Sequence, residues 1–222
     1  MFIRENAITL NFKELFNMTK EKYLNDLKDI KQLMNRSSQF LSLSGLSGIL
    51  AGIYAIIGAV IVYYLIHAHP YPVITLESRT FTFILLTTSG VLLASVLTAV
   101  LLSKAKAKRH GDQIWGESSK RMLINFLIPL ATGGLFILLL LKHQYYGLIA
   151  PVMLIFYGMA CVNASKYTLR DLRYLGITEI ILGLLATEFP GNSLYFWAVG
   201  FGFSHILYGT IMYFKYDRNQ PA

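Results

Sequence analysis

Six long apolar runs divide this chain, and its Lys and Arg residues collect in alternate gaps between them. Spanning about 30 Å of hydrocarbon takes roughly 20 apolar residues in a helix. The runs Leu41–Ile66, Phe81–Ser103, Met122–Leu141, Gly147–Asn163, Leu172–Phe189 and Leu194–Phe214 approach or exceed that length. The fourth and fifth are the shortest, and the fifth carries Glu179. Of the 20 Lys and Arg residues, 18 fall before the first run, in the second and fourth gaps, at the near end of the fifth run (Arg173), or after the sixth. Only Arg79 and Lys142 fall on the other side. Lys and Arg concentrate in cytoplasmic loops, so both termini are expected in the cytoplasm. A miscounted span would break the alternation at that point.

Composition supports an apolar surrounding. Of the 222 residues, 55% are hydrophobic and 14% are charged, against about 25% charged in a soluble domain. The net charge of +8 would raise nucleic acid as a partner of a soluble protein. Here it is accounted for by the topology signal, and no nucleic acid is expected. Cys161 is the single cysteine, which excludes an intrachain disulfide and a cysteine-based metal site. No cleavable leader is expected, since the first 38 residues are polar and mixed in charge. Tyr and Trp residues fall near both predicted interfaces, as amphipathic rings prefer.

The expected fold is therefore all-α: a polytopic membrane protein with a bundle of six transmembrane helices. Residues 1–38 form an amphipathic cytoplasmic helical segment, 39–216 the membrane domain and 217–222 a tail. In the first segment, Asn11 and Glu14 match a capping box. A longer helix from about Thr19 carries an apolar stripe of Tyr23, Leu27, Ile30 and Met34, which suits packing on the inner loops, lying at the headgroups, or a dimer seam. Ser44, Gly48 and Gly52 repeat at four-residue spacing in the first run. Such small-residue faces let helices approach closely in lipid, inside the fold or between copies. Pro129 with Gly133 and Gly134 could bend the third run.

Glu179 is the residue that invites chemistry. An acid near mid-span costs about 2.5–3.5 kcal/mol on insertion scales and usually faces a partner or a water-filled cavity. Glu179 lies seven residues from Leu172, about 10 Å; His205 lies nine residues from Phe214, about 14 Å. In an antiparallel hairpin the two differ by less than one turn, so a Glu179–His205 pair is allowed. Thr178, Ser204 and Asn163 are candidate accessory polar groups. The pair can be a structural lock or a proton- or cation-handling site. Alternatively, Glu179 faces lipid near its edge or bonds a backbone carbonyl in neutral form.

Lys104, Lys106, Lys108 and Arg109 are expected at the cytoplasmic face, as a topology signal and as contacts for anionic lipid. His67 and His69 alone do not make a zinc site, which needs three or four ligands. No metal or cofactor is expected. H-E-x-x-H, G-x-S-x-G, Walker and dinucleotide motifs are absent, and no enzymatic activity is expected.

The segments SLSGLSGILAGIYAIIG (Ser42–Gly58) and GLIAPVMLIFYGMACVNASKYTLRDLRYLG (Gly147–Gly176) resemble a set of uncharacterised bacterial six-span membrane proteins, which implies no activity. Gly176–Tyr213 is similar to the HdeD-like acid-resistance membrane proteins. That likeness is carried by Gly176-Ile177, Ile181-Leu182-Gly183-Leu184, Phe189-Pro190-Gly191 and by Gly200, Gly202 and Gly209. It implies a six-helix bundle with a role in stress tolerance and no catalytic residues. The leading expectation is an inner-membrane protein acting through assembly or partner contact, by its N-terminal helix and the first-run small-residue face. The alternative is a small transporter or proton-coupled permease centred on Glu179 and His205.

Overall fold

In a computed structural model the chain divides into two units, Met1–Gln39 and Phe40–Ala222. The structure describes residues 43–68, 76, 78–110 and 116–218, all in the second unit. The expected N-terminal helices and His69 lie outside the described residues.

Six helical rods make up the described part: α1 (Gly45–His67), α2 (Arg79–His110), α3 (Glu117–Lys142), α4 (Ile149–Ala164), α5 (Leu172–Glu188) and α6 (Pro190–Asp217). Five of them are long and apolar enough to cross a membrane, α4 together with the 3₁₀ turn Tyr146–Leu148. The expected fifth span, α5, has 17 residues, about 26 Å of helix, and is the one rod below that length.

Two rods run further than hydropathy predicts. α2 continues through Lys104, Lys106, Lys108 and Arg109, because Ala, Lys and Arg are strong helix formers and nothing there breaks the backbone ladder. α3 passes Pro129 without ending. It stops at a Schellman turn, in which Tyr145 N–H reaches Leu140 O (2.9 Å) and Gln144 N–H reaches Leu141 O (3.1 Å). Gln144 takes the left-handed position usually held by glycine, with φ 61°.

α6 is not one regular helix. It passes from a 3₁₀ turn (Pro190–Asn192) into α-helix (Ser193–Trp197), a π-helical segment (Ala198–Ser204), α-helix again (His205–Met212), and a second π-segment (Tyr213–Asp217). Wide π-turns inside helices occur frequently at functional sites. Here the first one contains Gly200 and Gly202 and delivers His205 at its end.

Glycine governs the two main contacts. A Cβ on Gly52 would stand 2.6 Å from Gly202 O, and one on Gly48 would stand 3.1 Å from Gly209 Cα. α1 and α6 therefore meet backbone to backbone. The same holds for α4 and α5, where a Cβ on Gly158 would lie 2.5 Å from Gly176 O. In lipid such closeness counts because packing rather than water exclusion holds helices together. α2 rests almost entirely on α1, and α3 on α4, with little packing between α2 and α3. α6 is the shared element, touching α1, α4 and α5.

Ion pairs fasten one end of the bundle. Lys106 Nζ lies 2.7 Å from Asp217 Oδ1 and 3.0 Å from Leu43 O. Asp217 Oδ2 accepts the Gly45 N–H at 2.9 Å, so the end of α6 caps the start of α1, where free amides and the helix dipole favour an anion. Asp171, just before α5, accepts from Lys215 Nζ at 2.6 Å and from the Tyr216 hydroxyl at 2.9 Å. Lys104, Lys108, Arg109, Lys120, Arg121, Lys166, Arg170 and Arg173 are exposed at this basic end.

Candidate functional site

Three rods place three polar side chains together within the bundle. α5 supplies Glu179, α6 supplies His205 and α4 supplies Tyr157. Glu179 is completely buried, with 0% exposure, and His205 and Tyr157 are largely enclosed. Glu179 Oε1 stands 3.5 Å from His205 Nδ1. That nitrogen also faces Gly200 O at 3.1 Å, while Nε2 lies 2.7 Å from the Tyr157 hydroxyl. Gly200 O can only accept, so Nδ1 carries the hydrogen. In the neutral ring, Nε2 then accepts from Tyr157. This tautomer is assigned from its partners.

That arrangement satisfies the imidazole and leaves the acid without a partner. Neither Glu179 oxygen makes a hydrogen bond. The Nδ1–H is directed at Gly200, so the 3.5 Å approach of Oε1 is electrostatic contact only. Gly200 also admits the carboxyl: a Cβ at position 200 would collide with Glu179 Oε2 and lie 2.5 Å from Leu154 Cδ2. The wide turn in α6 thus does two things. It exposes a carbonyl to His205, and it brings a residue without a side chain against the acid.

Rings complete the enclosure. Phe201 stacks on His205 with centroids 5.8 Å apart, and Trp197 lies 5.2 Å from Phe201. Tyr157 lies 5.0 Å from Phe201 and meets Phe126 of α3 edge-on at 5.9 Å. A groove of about 420 Å³ between the end of α3 and the start of α4 is apolar and separate, lined by Phe136, Leu139, Leu140, His143, Tyr145 and Leu148.

The remaining sequence candidates fall elsewhere. Thr178 is exposed and bonds Tyr174 O on its own helix at 3.0 Å. Ser204 is buried beside His205 in sequence, and Asn163 is half-buried near the basic end; neither bonds the Glu179 carboxyl. Lys106, expected to meet anionic lipid with Lys104, Lys108 and Arg109, is turned inward onto Asp217, with only 11% of its side chain exposed. Ser44, Gly48 and Gly52 are taken up within the fold: Gly48 and Gly52 face α6, and Ser44 Oγ lies 3.5 Å from Asp217 Oδ2. Among the described residues, no three His, Cys, Asp or Glu side chains group as metal ligands.

Sequence reasoning missed Tyr157 and Asp217. A tyrosine in an apolar run reads as an interface ring, and an acid after the last span reads as tail. The available signal was depth: Tyr157 sits mid-span, unlike the interface tyrosines.

Asp171 lies outside the spans and titrates. Its partial burial pushes the carboxyl up, but the hydrogen bonds and charge from Lys215 and Tyr216 outweigh this and hold it below its ordinary value.

No protein-family model, curated protein or solved structure matches the chain.

Proposed function

We propose that this chain is a multi-pass inner-membrane protein with six spans, non-enzymatic, whose Glu179–His205–Tyr157 cluster binds and releases a proton. The basic end faces the cytoplasm in this reading, following the bias of Lys and Arg, and both termini lie there. α5 crosses at the lower limit of span length, about 17 residues.

One observation carries the proposal: a completely buried carboxyl, 3.5 Å from an imidazole, has no hydrogen-bond partner on either oxygen. A purely structural lock gains by satisfying its members, because a half-satisfied buried network is worse than an apolar one. An ionisable group kept in that condition within lipid is by default a functional group. The enclosure also speaks against a ready-made solute passage at Glu179, so the proton itself is the cargo or the signal. Assembly through the first-run small-residue face loses its surface to α6. Partner contact through residues 1–38 remains part of the proposal, as does anionic-lipid contact through Lys104, Lys108 and Arg109. The stress-tolerance role implied by the C-terminal resemblance fits a proton-binding site.

The test uses full-length protein in proteoliposomes with Trp115→Phe, leaving Trp197 as the sole tryptophan. Its emission is expected to titrate with pH through the Phe201–His205 stack. Glu179→Gln and His205→Gln should each abolish or displace that transition. An unchanged titration in both variants would overturn the reading.

A further inference from the structure

The wide turn Ala198–Ser204 serves two sides of α6 at once. Gly200 faces the acid, with no room for a Cβ between Glu179 Oε2 and Leu154. Gly202 faces α1, where a Cβ would stand 2.6 Å from Ile56 Cγ1, and its carbonyl is the atom that Gly52 packs against. Whatever changes this turn therefore alters both the surroundings of Glu179 and the crossing of α1 with α6.

Turn type and the His205 imidazole are linked through one atom. In an α-helix a carbonyl accepts from the amide four residues ahead; in a π-turn the partner is five ahead. Five residues beyond Gly200 is His205, and its Nδ1–H reaches Gly200 O at 3.1 Å. Nδ1 has a second acceptor in range, Glu179 Oε1 at 3.5 Å. Hydrogen bonds to a carboxylate are about twice as strong as those between neutral groups, so an ionised Glu179 would draw that hydrogen away from a neutral carbonyl. The bond to Gly200 is thus the mark of the neutral, proton-loaded acid.

Resting on the proton-binding reading above, we propose that loss of the Glu179 proton moves the His205 Nδ1–H from Gly200 O to Glu179 Oε1 and closes the wide turn toward α-helical register. The step balances: the carboxyl O–H breaks, its proton passes to water, and the Nδ1–H bond stays intact and only changes acceptor. Nε2 keeps its bond to the Tyr157 hydroxyl. Gly200 O, a buried acceptor that has lost a donor, takes the Ser204 amide, its α-helical partner.

The two flanks of the turn are unequally held. Beyond it, Gly209 lies backbone to backbone on α1, Asp217 holds the Gly45 N–H and Lys106, and Lys215 holds Asp171. Before it, Ser193–Trp197 is five residues long, tied by Ser193 Oγ to Gly147 O at 3.2 Å and by apolar packing around Trp197. The short flank is the one that gives. Closing the turn takes up one residue, which rotates that flank by up to about 100° and shifts it by about 1.5 Å. Tyr157 of α4 is the titratable group in contact with the pair, and Cys161 of α4 and Tyr208 of α6 stand in the adjoining cluster. α3 presents Met122 and Phe126 there, and α1 presents Ala55 and Ala59 around Trp197; Tyr54 of α1 is engaged with Thr98 of α2 at 3.4 Å.

The experiment places spin labels on the full-length Cys161→Ala protein in nanodiscs. Tyr195, exposed on the short flank, is measured from Tyr174 of α5 and from Leu135 of α3, both exposed; Ile211 with Tyr64 of α1 reports the held flank. Across the midpoint of proton uptake at least one Tyr195 distance should shift by about 3–4 Å or more, the chord of that rotation at the Cα radius, while Ile211–Tyr64 stays fixed. Glu179→Gln should hold the proton-loaded distances at every pH. In the unlabelled native protein, hydrogen-exchange protection of the amides over 198–206, corrected for intrinsic rates, should change with the same midpoint. Proton uptake that depends on Glu179 with fixed distances and unchanged protection, movement that persists in Glu179→Gln, or equal movement of both flanks would overturn the switch and leave the proton site standing. Absence of any Glu179-dependent uptake would overturn the proton site and the switch together.

Discussion

Replacing Glu179 with leucine should make the protein more stable and abolish its response to pH. The magnitude follows from the geometry. Burying a polar group without a hydrogen bond costs about 1–3 kcal/mol by mutational measures, and both Glu179 oxygens are in that state. Against this stands the loss of one contact, Oε1 to His205 Nδ1 at 3.5 Å. The Nδ1 hydrogen is already committed to Gly200 O, so that contact contributes at most about 1 kcal/mol, the ordinary net value of a hydrogen bond. Leucine differs little in length and leaves no polar atom behind. His205 keeps both its bonds, to Gly200 and Tyr157. The net expectation is a gain of about 1–2 kcal/mol. For a chain of this size 1 kcal/mol moves the melting temperature by about 2–4 °C, so the shift should be upward by several degrees in detergent. Thermal unfolding followed by circular dichroism, with reversible denaturant titration as a check, measures it. A fall of 3 kcal/mol or more, the order expected when a well-made buried ion pair loses one member, would refute the reasoning, since Glu179 would then be a structural lock.

Other perturbations address the frame around the site. Gly52→Leu should destabilise by about 1–3 kcal/mol or more through overpacking, because its Cβ alone would come within 2.6 Å of Gly202 O and of Ile206; unfolding in detergent reads this. Asp217→Asn removes the anion that caps α1 and pairs with Lys106 and should cost about 1–3 kcal/mol, whereas Asp217→Glu should recover part of it. Gln144→Gly should raise stability by about 1 kcal/mol, because a side chain in the left-handed region is strained. The Asp171 carboxyl is held below its ordinary value of about 3.9. Its contribution is therefore complete above that pH and is lost only as pH falls through the lower folded-state value. Asp171→Asn should lower the melting temperature at neutral pH, and the difference from wild type should vanish in strong acid.

Most of the rod pattern is legible in the sequence because hydropathy reports which solvent a helix faces, and six apolar runs give six rods. Boundaries are less legible. Lys104–Arg109 looks like a loop by charge yet extends α2, since charge marks depth and says nothing about whether the backbone stays helical. The interruption of α6 leaves no clear trace either. Gly200 and Gly202 would suit tight packing equally well, and Gly202 does pack against Ile56 of α1. In the site, Glu179 and His205 stand out because polar groups are rare in those runs, and the antiparallel hairpin sets their depths. Tyr157 does not, because its role depends on which face of α4 turns toward α6. Lys106 and Asp217 are 111 positions apart; only the packing of α1 between α2 and α6 brings them together.

The placement of α6 bears on how the protein is made. Helices are made in chain order, and the glycine face of α1 is matched by α6, a helix translated long after it. During elongation that face must wait without its partner, and Asp217, which caps its first turn, follows only after the rest of α6 has been made. Loss of α6 would therefore strand α1, α4 and α5 without their common neighbour and leave the unfinished chain open to proteolysis.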